Sequence, residues 1–136
     1  MADKITIPML QQMKNDGRKI VACVVYDYQL AQVVDRAGVD LVSVGDSVGA
    51  NMWGQSNLLE VTMDQMVLAA QGVRRGVKRA LVSVDFPYGP LQESTEAAVR
   101  AAVRLVKEAN VDLVKLAGAA DFPEATSAIV RAGVPV

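Results

Sequence analysis

The chain has 136 residues, 51% hydrophobic and 21% charged, which suits one hydrophobic core and excludes a disordered polypeptide. A formal charge of −1, from 14 basic and 15 acidic residues, gives no support for a nucleic-acid or anionic-membrane partner. Cys23 is the sole cysteine and histidine is absent, which excludes an internal disulfide, the usual zinc sites and a Ser-His-Asp triad, and fits a cytoplasmic location.

Met1-Ala2-Asp3-Lys4 leads into no long apolar run, so no secretory signal is expected, and no run approaches membrane-span length. Residues 1–136 are expected to form one domain, with a leading helix within 1–18 and βα units over 19–136. Met9, Leu10 and Met13 give Thr6 to Asn15 an amphipathic helix, closed by Asp16-Gly17, of the kind that covers one end of a barrel or sheet. Ile20 to Tyr26 is a continuous apolar run and reads as a first buried parallel strand. Cys23 lies in it and is assigned to packing. Asp27 is placed to cap the next helix, whose inner face is expected to carry Leu30, Ala31, Val33, Val34 and Ala37, with Gly38 as its stop.

Asp40 to Val44 reads as the second strand, and Ala50 to Glu60 as a long loop of candidate-lid type. Trp53, in that loop, is expected to pack against the neighbouring helix. Thr62-Met63-Asp64-Gln65 has the form of a capping box, and the helix behind it would bury Met63, Met66, Val67, Ala70 and Val73 before ending at Gly76. Arg74, Arg75, Lys78 and Arg79 are read as cations offsetting that helix's dipole. Ala80 to Val84 is the third strand, and Asp85 to Pro90 a rigid loop. Ser94 to Glu108 is a helix with Val99, Ala102, Val103 and Val106 inside, ended by Asn110. Val111 to Val114 delivers Lys115, and Gly118 to Asp121 leads to a helix with Pro123 in its first turn. Gly133 stops that helix, and Val134-Pro135-Val136 begins a fifth strand.

Arg36-Ala37-Gly38-Val39-Asp40-Leu41-Val42 resembles Glu108-Ala109-Asn110-Val111-Asp112-Leu113-Val114, an internal repeat. A period of roughly 35 residues suits one strand plus one helix per unit. Four βα units and the start of a fifth strand make an α/β fold, about the first half of a (β/α)8 barrel. Two strand edges of such a half need covering, by further chain or by another copy.

Strands two, three and four end at Asp46, Asp85 and Lys115, and parallel strands bring their C-terminal ends to one face, where ligands bind. Asp46 and Asp85 suit an octahedral cation such as Mg2+, which takes a few carboxylates and fills its other positions with water or substrate. Lys115 would balance a substrate carboxylate or a developing enolate, and Ser47 would bond a carboxylate oxygen.

Val25-Tyr26-Asp27-Tyr28, Val44-Gly45-Asp46-Ser47-Val48-Gly49, Val61-Thr62, Arg74-Arg75-Gly76, Asp85-Phe86-Pro87 and Val114-Lys115, in this order, carry a resemblance to the ketopantoate hydroxymethyltransferase (3-methyl-2-oxobutanoate hydroxymethyltransferase) family of pantothenate synthesis. The resemblance runs from the leading helix to the last residue. It implies a (β/α)8-barrel enzyme that adds a one-carbon unit from 5,10-methylenetetrahydrofolate to α-ketoisovalerate, a small 2-oxo acid, through a Mg2+-stabilised enolate. It also implies Asp46 and Asp85 as metal ligands, Ser47, Asp85 and Lys115 as substrate contacts, and a homo-oligomer.

Two departures from the family pattern stand out. Ala117 occupies a position where the family usually has an acidic residue that supports the metal through its water shell. The family's general base, a glutamate, and an active-site histidine belong to the later half of the barrel, so no catalytic base is expected among these residues, and they should be inactive alone. Two alternatives remain at this level: a related metal-dependent 2-oxo-acid C–C lyase or transferase, and a non-catalytic half-barrel that serves assembly.

Overall fold

A computed structural model describes residues 3–136; the start of the leader reading, at Met1 and Ala2, lies outside them. Helix α1 (Ile7–Asn15) begins where the Thr6 hydroxyl accepts the Met9 N–H at 3.3 Å. It lies against the N-terminal ends of the strands. There Met13 and Ile5 are buried, and the Ile5 N–H reaches the Arg79 carbonyl at 2.8 Å.

Strands β1 (Ala22–Val24), β2 (Leu41–Val44), β3 (Leu81–Asp85) and β4 (Leu113–Lys115) form one parallel sheet in the order β1-β2-β3-β4. Cys23 pairs with Val42, Val42 with Val82, and Val84 with Val114. Helices α2 (Tyr28–Arg36), α4 (Met63–Gly76), α6 (Thr95–Ala109) and α7 (Pro123–Arg131) fill the crossovers and the segment after β4, and pack side by side. Val42, Val44, Val82, Val84 and Val114 are buried in one core with Met66, Val73, Leu105 and Ile129 of the helices. Each such aliphatic side chain removed from water contributes about 1.5–3 kcal/mol before entropy is counted.

The capping signals act as the sequence suggests. Asp27 accepts the Leu30 N–H at 2.8 Å, and the Thr62–Gln65 box is closed in both directions. Asn110 ends α6 with φ +53°, the left-handed conformation that glycine takes at the parallel stops Gly38 and Gly133. At Gly76 the need is close approach: a Cβ there would stand 2.7 Å from the Tyr28 carbonyl oxygen and 2.8 Å from the Ala31 Cβ.

Several expectations are corrected. The first strand is short and exposed at its ends, because it is an edge of the sheet with one neighbour; Val24 is 51% exposed. The inner face of α2 is Ala31, Val34 and Asp35, whereas Leu30, Val33 and Ala37 face water. The inner face of α6 is Ala97, Ala98, Ala101, Ala102 and Leu105; Val99, Val103 and Val106 lie on its half-buried flank. Small side chains let α6 sit between α4 and α7, and valines are displaced outward.

The 50–60 segment is ordered by its own bonds. It begins within helix α3 (Val48–Trp53), and Glu60 Oε1 accepts from the Ser56 N–H at 3.1 Å and the Asn57 amide at 2.9 Å. Trp53 closes α3 and is 44% exposed, so its packing is partial. A further short helix, α5 (Pro90–Glu93), interrupts the loop after β3. Val134–Val136 is not a strand: one main-chain bond, from Val114 N–H to the Pro135 carbonyl at 3.0 Å, joins it to β4, and Pro135 has no N–H to return.

The arginines in the last turn of α4 and just after it do more than offset a dipole. Arg74 donates to Asp112 at 2.9 Å, and Arg79 to Asp40 at 3.3 Å. Asp40 and Asp112 are the matching positions of the internal repeat, and both accept the N–H of a residue on the preceding strand segment, Val21 at 3.1 Å and Val82 at 2.8 Å. Asp35 accepts three main-chain N–H groups in a row, from Lys78, Arg79 and Ala80, at 2.8–3.1 Å.

Candidate active site

The side chains singled out at the strand ends lie at the C-terminal end of the sheet. Asp85 is the last residue of β3 and pairs in register with Lys115, the last of β4. The Lys115 ammonium donates to Asp85 Oδ2 at 2.7 Å and makes no other hydrogen bond among the described residues. Two of its three donors therefore point to solvent or ligand. Asp85 is 7% exposed, and its other oxygen, Oδ1, is buried with no hydrogen-bond partner among the described residues. Burial pushes the Asp85 carboxyl above its usual range and the nearby Asp46 carboxylate adds to it; the Lys115 bond and charge oppose that, as does the Asp46 main-chain N–H, which faces the carboxylate without completing a hydrogen bond to Oδ1.

Asp46 follows the β2 end, and its side chain is half-buried. It lines a cleft of about 210 Å³ with Leu58, Leu59, Phe86, Tyr88, Leu91 and Ala117 among its walls. Ser47 starts α3 yet gives its hydroxyl to no helical N–H. Instead Ser47 Oγ lies 2.9 Å from Tyr26 Oη. Gly45 leaves room for it, since a Cβ at 45 would stand 2.9 Å from Ser47 Oγ. Asn51, one turn on, donates to Tyr26 Oη at 3.1 Å and to the Ser47 carbonyl at 2.9 Å.

The structure thus joins Asp85 directly to Lys115, sets Asp46 close enough to perturb Asp85, and ties Ser47 to Tyr26 and Asn51. Sequence reasoning did not assign roles to Tyr26, Asn51 or the cleft walls. Tyr26 was legible as the residue where the first apolar run ends. Asn51 was hidden in a segment read as loop.

The carboxylate pair fits a hard divalent cation. The donors are oxygens, and Asp85 Oδ1 is a buried acceptor without a donor, an arrangement that a cation would satisfy. Among the described residues no group of three or more acidic, histidine or cysteine side chains forms, so most of the coordination would come from water and substrate, as Mg2+ favours.

The family model described as ketopantoate hydroxymethyltransferase matches residues 4–136. The chain belongs to that family. It is 43% identical over 133 residues to the 3-methyl-2-oxobutanoate hydroxymethyltransferase of Cytophaga hutchinsonii, covering 98% of this chain and 49% of that protein. It is 44% identical over 133 residues to the protein of the same name from Salinibacter ruber, covering 98% and 50%. The chain therefore spans about half the length of these relatives.

Among solved structures it is similar to 2,3-dimethylmalate lyase of the PEP mutase/isocitrate lyase superfamily, with TM-score 0.68 at 19% identity over 92% of this chain and 47% of the other. It is also similar to oxaloacetate acetylhydrolase, with TM-score 0.65 at 14% identity over 90% and 46%. At those identities the likeness concerns fold. The fold is that of a (β/α)8 barrel, and four of its strands are seen here. Among the described residues, no helix is long and apolar enough to cross a membrane.

Proposed function

We propose that the chain forms the cation- and substrate-binding half of an enzyme that transfers a one-carbon unit to 3-methyl-2-oxobutanoate (α-ketoisovalerate), with 5,10-methylenetetrahydrofolate as donor. Family membership supports the reaction class. The observation that carries the reading is the Asp85 carboxylate: one oxygen is held by Lys115, and the other is buried without a donor beside Asp46.

Asp46 and Asp85 would hold Mg2+, which when bound supplies Lewis acidity toward the keto group of the substrate. Lys115 holds Asp85 in place with one N–H and offers the others to the substrate carboxylate. Ser47 offers a hydroxyl beside the same face. The apolar walls Leu58, Phe86 and Leu91 of the cleft that Asp46 lines would pack against the branched alkyl group. The base that removes the C3 proton would be supplied by residues beyond these.

The test is C3 proton exchange of α-ketoisovalerate in D2O, followed by NMR on protein carrying the whole barrel. Exchange that requires Mg2+ is expected, and no exchange overturns the reading. Ala117 favours a second reading, because it places a methyl group in the cleft wall beside Asp46 where the family pattern has an acid. On that reading the enzyme is a related metal-dependent C–C lyase or transferase that acts on another 2-oxo acid.

A further inference from the structure

We propose that Asn51 and Tyr26 are positioning residues that make Ser47 a one-way hydrogen-bond donor to the anionic substrate. The proposal rests on the 2-oxo-acid reading above. Three observations carry it, and the first is that Ser47 does not do what a serine at a helix start ordinarily does. Its hydroxyl caps no N–H of α3, so it is left for another partner.

The second observation favours a direction. The Asn51 side chain lies 2.9 Å from the Ser47 carbonyl, which only accepts, so the end of the amide facing it is the NH2 group. That same nitrogen is 3.1 Å from Tyr26 Oη, and its second N–H is donated there. The phenol oxygen thereby serves as an acceptor. One of its lone pairs is conjugated with the ring, so its remaining strong interaction is as a donor. Ser47 Oγ, 2.9 Å away, is the acceptor within reach of its proton, although the distance alone would let either oxygen donate.

The third observation is that the chain of bonds ends at Ser47. With Tyr26 donating to it, the serine's own proton has no partner among the described residues. The order is Asn51 N–H to Tyr26 oxygen, Tyr26 O–H to Ser47 oxygen, and Ser47 O–H outward. Each bond polarises the next, which strengthens the last donor. Gly45 keeps the place clear, because a Cβ there would press on Ser47 Oγ. A carboxylate or keto oxygen of the substrate is the acceptor that such a donor fits.

The test is a double-substitution cycle read by calorimetry, on protein carrying the whole barrel, with Mg2+ first and α-ketoisovalerate second. Tyr26→Phe keeps the ring and removes the hydroxyl. It is expected to weaken α-ketoisovalerate binding about five- to tenfold and leave Mg2+ affinity unchanged. Ser47→Ala is expected to weaken it by at least as much. In the Ser47→Ala background, Tyr26→Phe is expected to have no further effect, because it acts only through that hydroxyl. Asn51→Leu should reproduce the Tyr26→Phe loss in the native background and likewise vanish behind Ser47→Ala.

Additive losses, or a parallel loss of Mg2+ affinity or of thermal midpoint with Tyr26→Phe, would overturn the relay and leave the substrate reading standing. No binding of α-ketoisovalerate by the unsubstituted protein with Mg2+ would overturn the substrate reading, and the relay with it.

Discussion

Asp35 and Asp85 are similarly shielded at the surface, 8% and 7% exposed, though Asp85 lies deeper in the protein, and they sit at opposite ends of the sheet. Burial works against the charge of both. At Asp35 three main-chain N–H groups, from Ala80, Lys78 and Arg79, together with the charge of Arg74, outweigh it, and the carboxyl titrates below its ordinary range. At Asp85 burial wins over Lys115, and the carboxyl titrates above it. The N-terminal end of the sheet spends its carboxylates on its own backbone: Asp35, Asp40 and Asp112 all hold main-chain N–H groups. The C-terminal end leaves Asp85 Oδ1 without a partner among the described residues. The first arrangement serves stability, and the second holds unmet binding capacity for a ligand.

The contrast can be broken most forcefully at the satisfied end. Asp35→Ala would leave three main-chain donors without their acceptor and should cost about 3 kcal/mol in urea unfolding, with Mg2+ affinity unchanged. Asp112→Asn should cost less, about 2 kcal/mol by the same measurement. It keeps an acceptor for Val82 but weakens the Arg74 pair and the Lys4 pair. Asp85→Asn should change stability at pH 7 by no more than about 1 kcal/mol, in the stabilising direction or not at all, because it removes a poorly solvated charge. The same substitution should abolish Mg2+ binding in calorimetry. Lys4→Ala should lie within about 0.5 kcal/mol of the parent, since the exposed Lys4–Asp112 contact at 3.4 Å is a surface pair.

Acid titration sharpens the comparison, because the two carboxyls give slopes of opposite sign. Asp35 binds protons less readily folded than unfolded. Its contribution is complete above the ordinary aspartate value of 3.8 and is lost as pH falls through its lower folded value. Asp85 binds protons more readily folded than unfolded. Stability therefore declines as pH rises from 3.8 through its raised folded value, and Asp85→Asn should flatten that decline. Unfolding free energy measured against pH in the two single variants checks both slopes.

Much of this was legible in the sequence where one residue decides the outcome locally. Asp27, Thr62 with Gln65, and Asn110 act within a turn of themselves, and each does what its side chain suggests. The strand ends were legible as well, because apolar runs stop abruptly at Asp46, Asp85 and Lys115. Helix faces were less so. In α6 the sheet and neighbouring helices accept alanine and push valine to the flank, so apolar character alone picked a stripe that shares Ala102 with the core but is turned toward the half-buried Val99 and Val106. The resemblance supplied the family. Tyr26 and Ser47 lie 21 positions apart and meet only because β1 and β2 are neighbours in register.

Gly76 carries a consequence for anyone altering this protein. Replacing a helical glycine by alanine is a routine stabilising change, worth about 0.5–1 kcal/mol when nothing opposes it. Here the new methyl would meet the Tyr28 carbonyl and Ala31, and α2 would have to move outward. Tyr28 is two residues from Tyr26, so the displacement would be transmitted to the hydroxyl that faces Ser47. Gly76 is buried at the end of α4, so a thermostabilisation programme that scores positions by helix propensity alone would select it, and would disturb the Tyr26–Ser47 contact through α2.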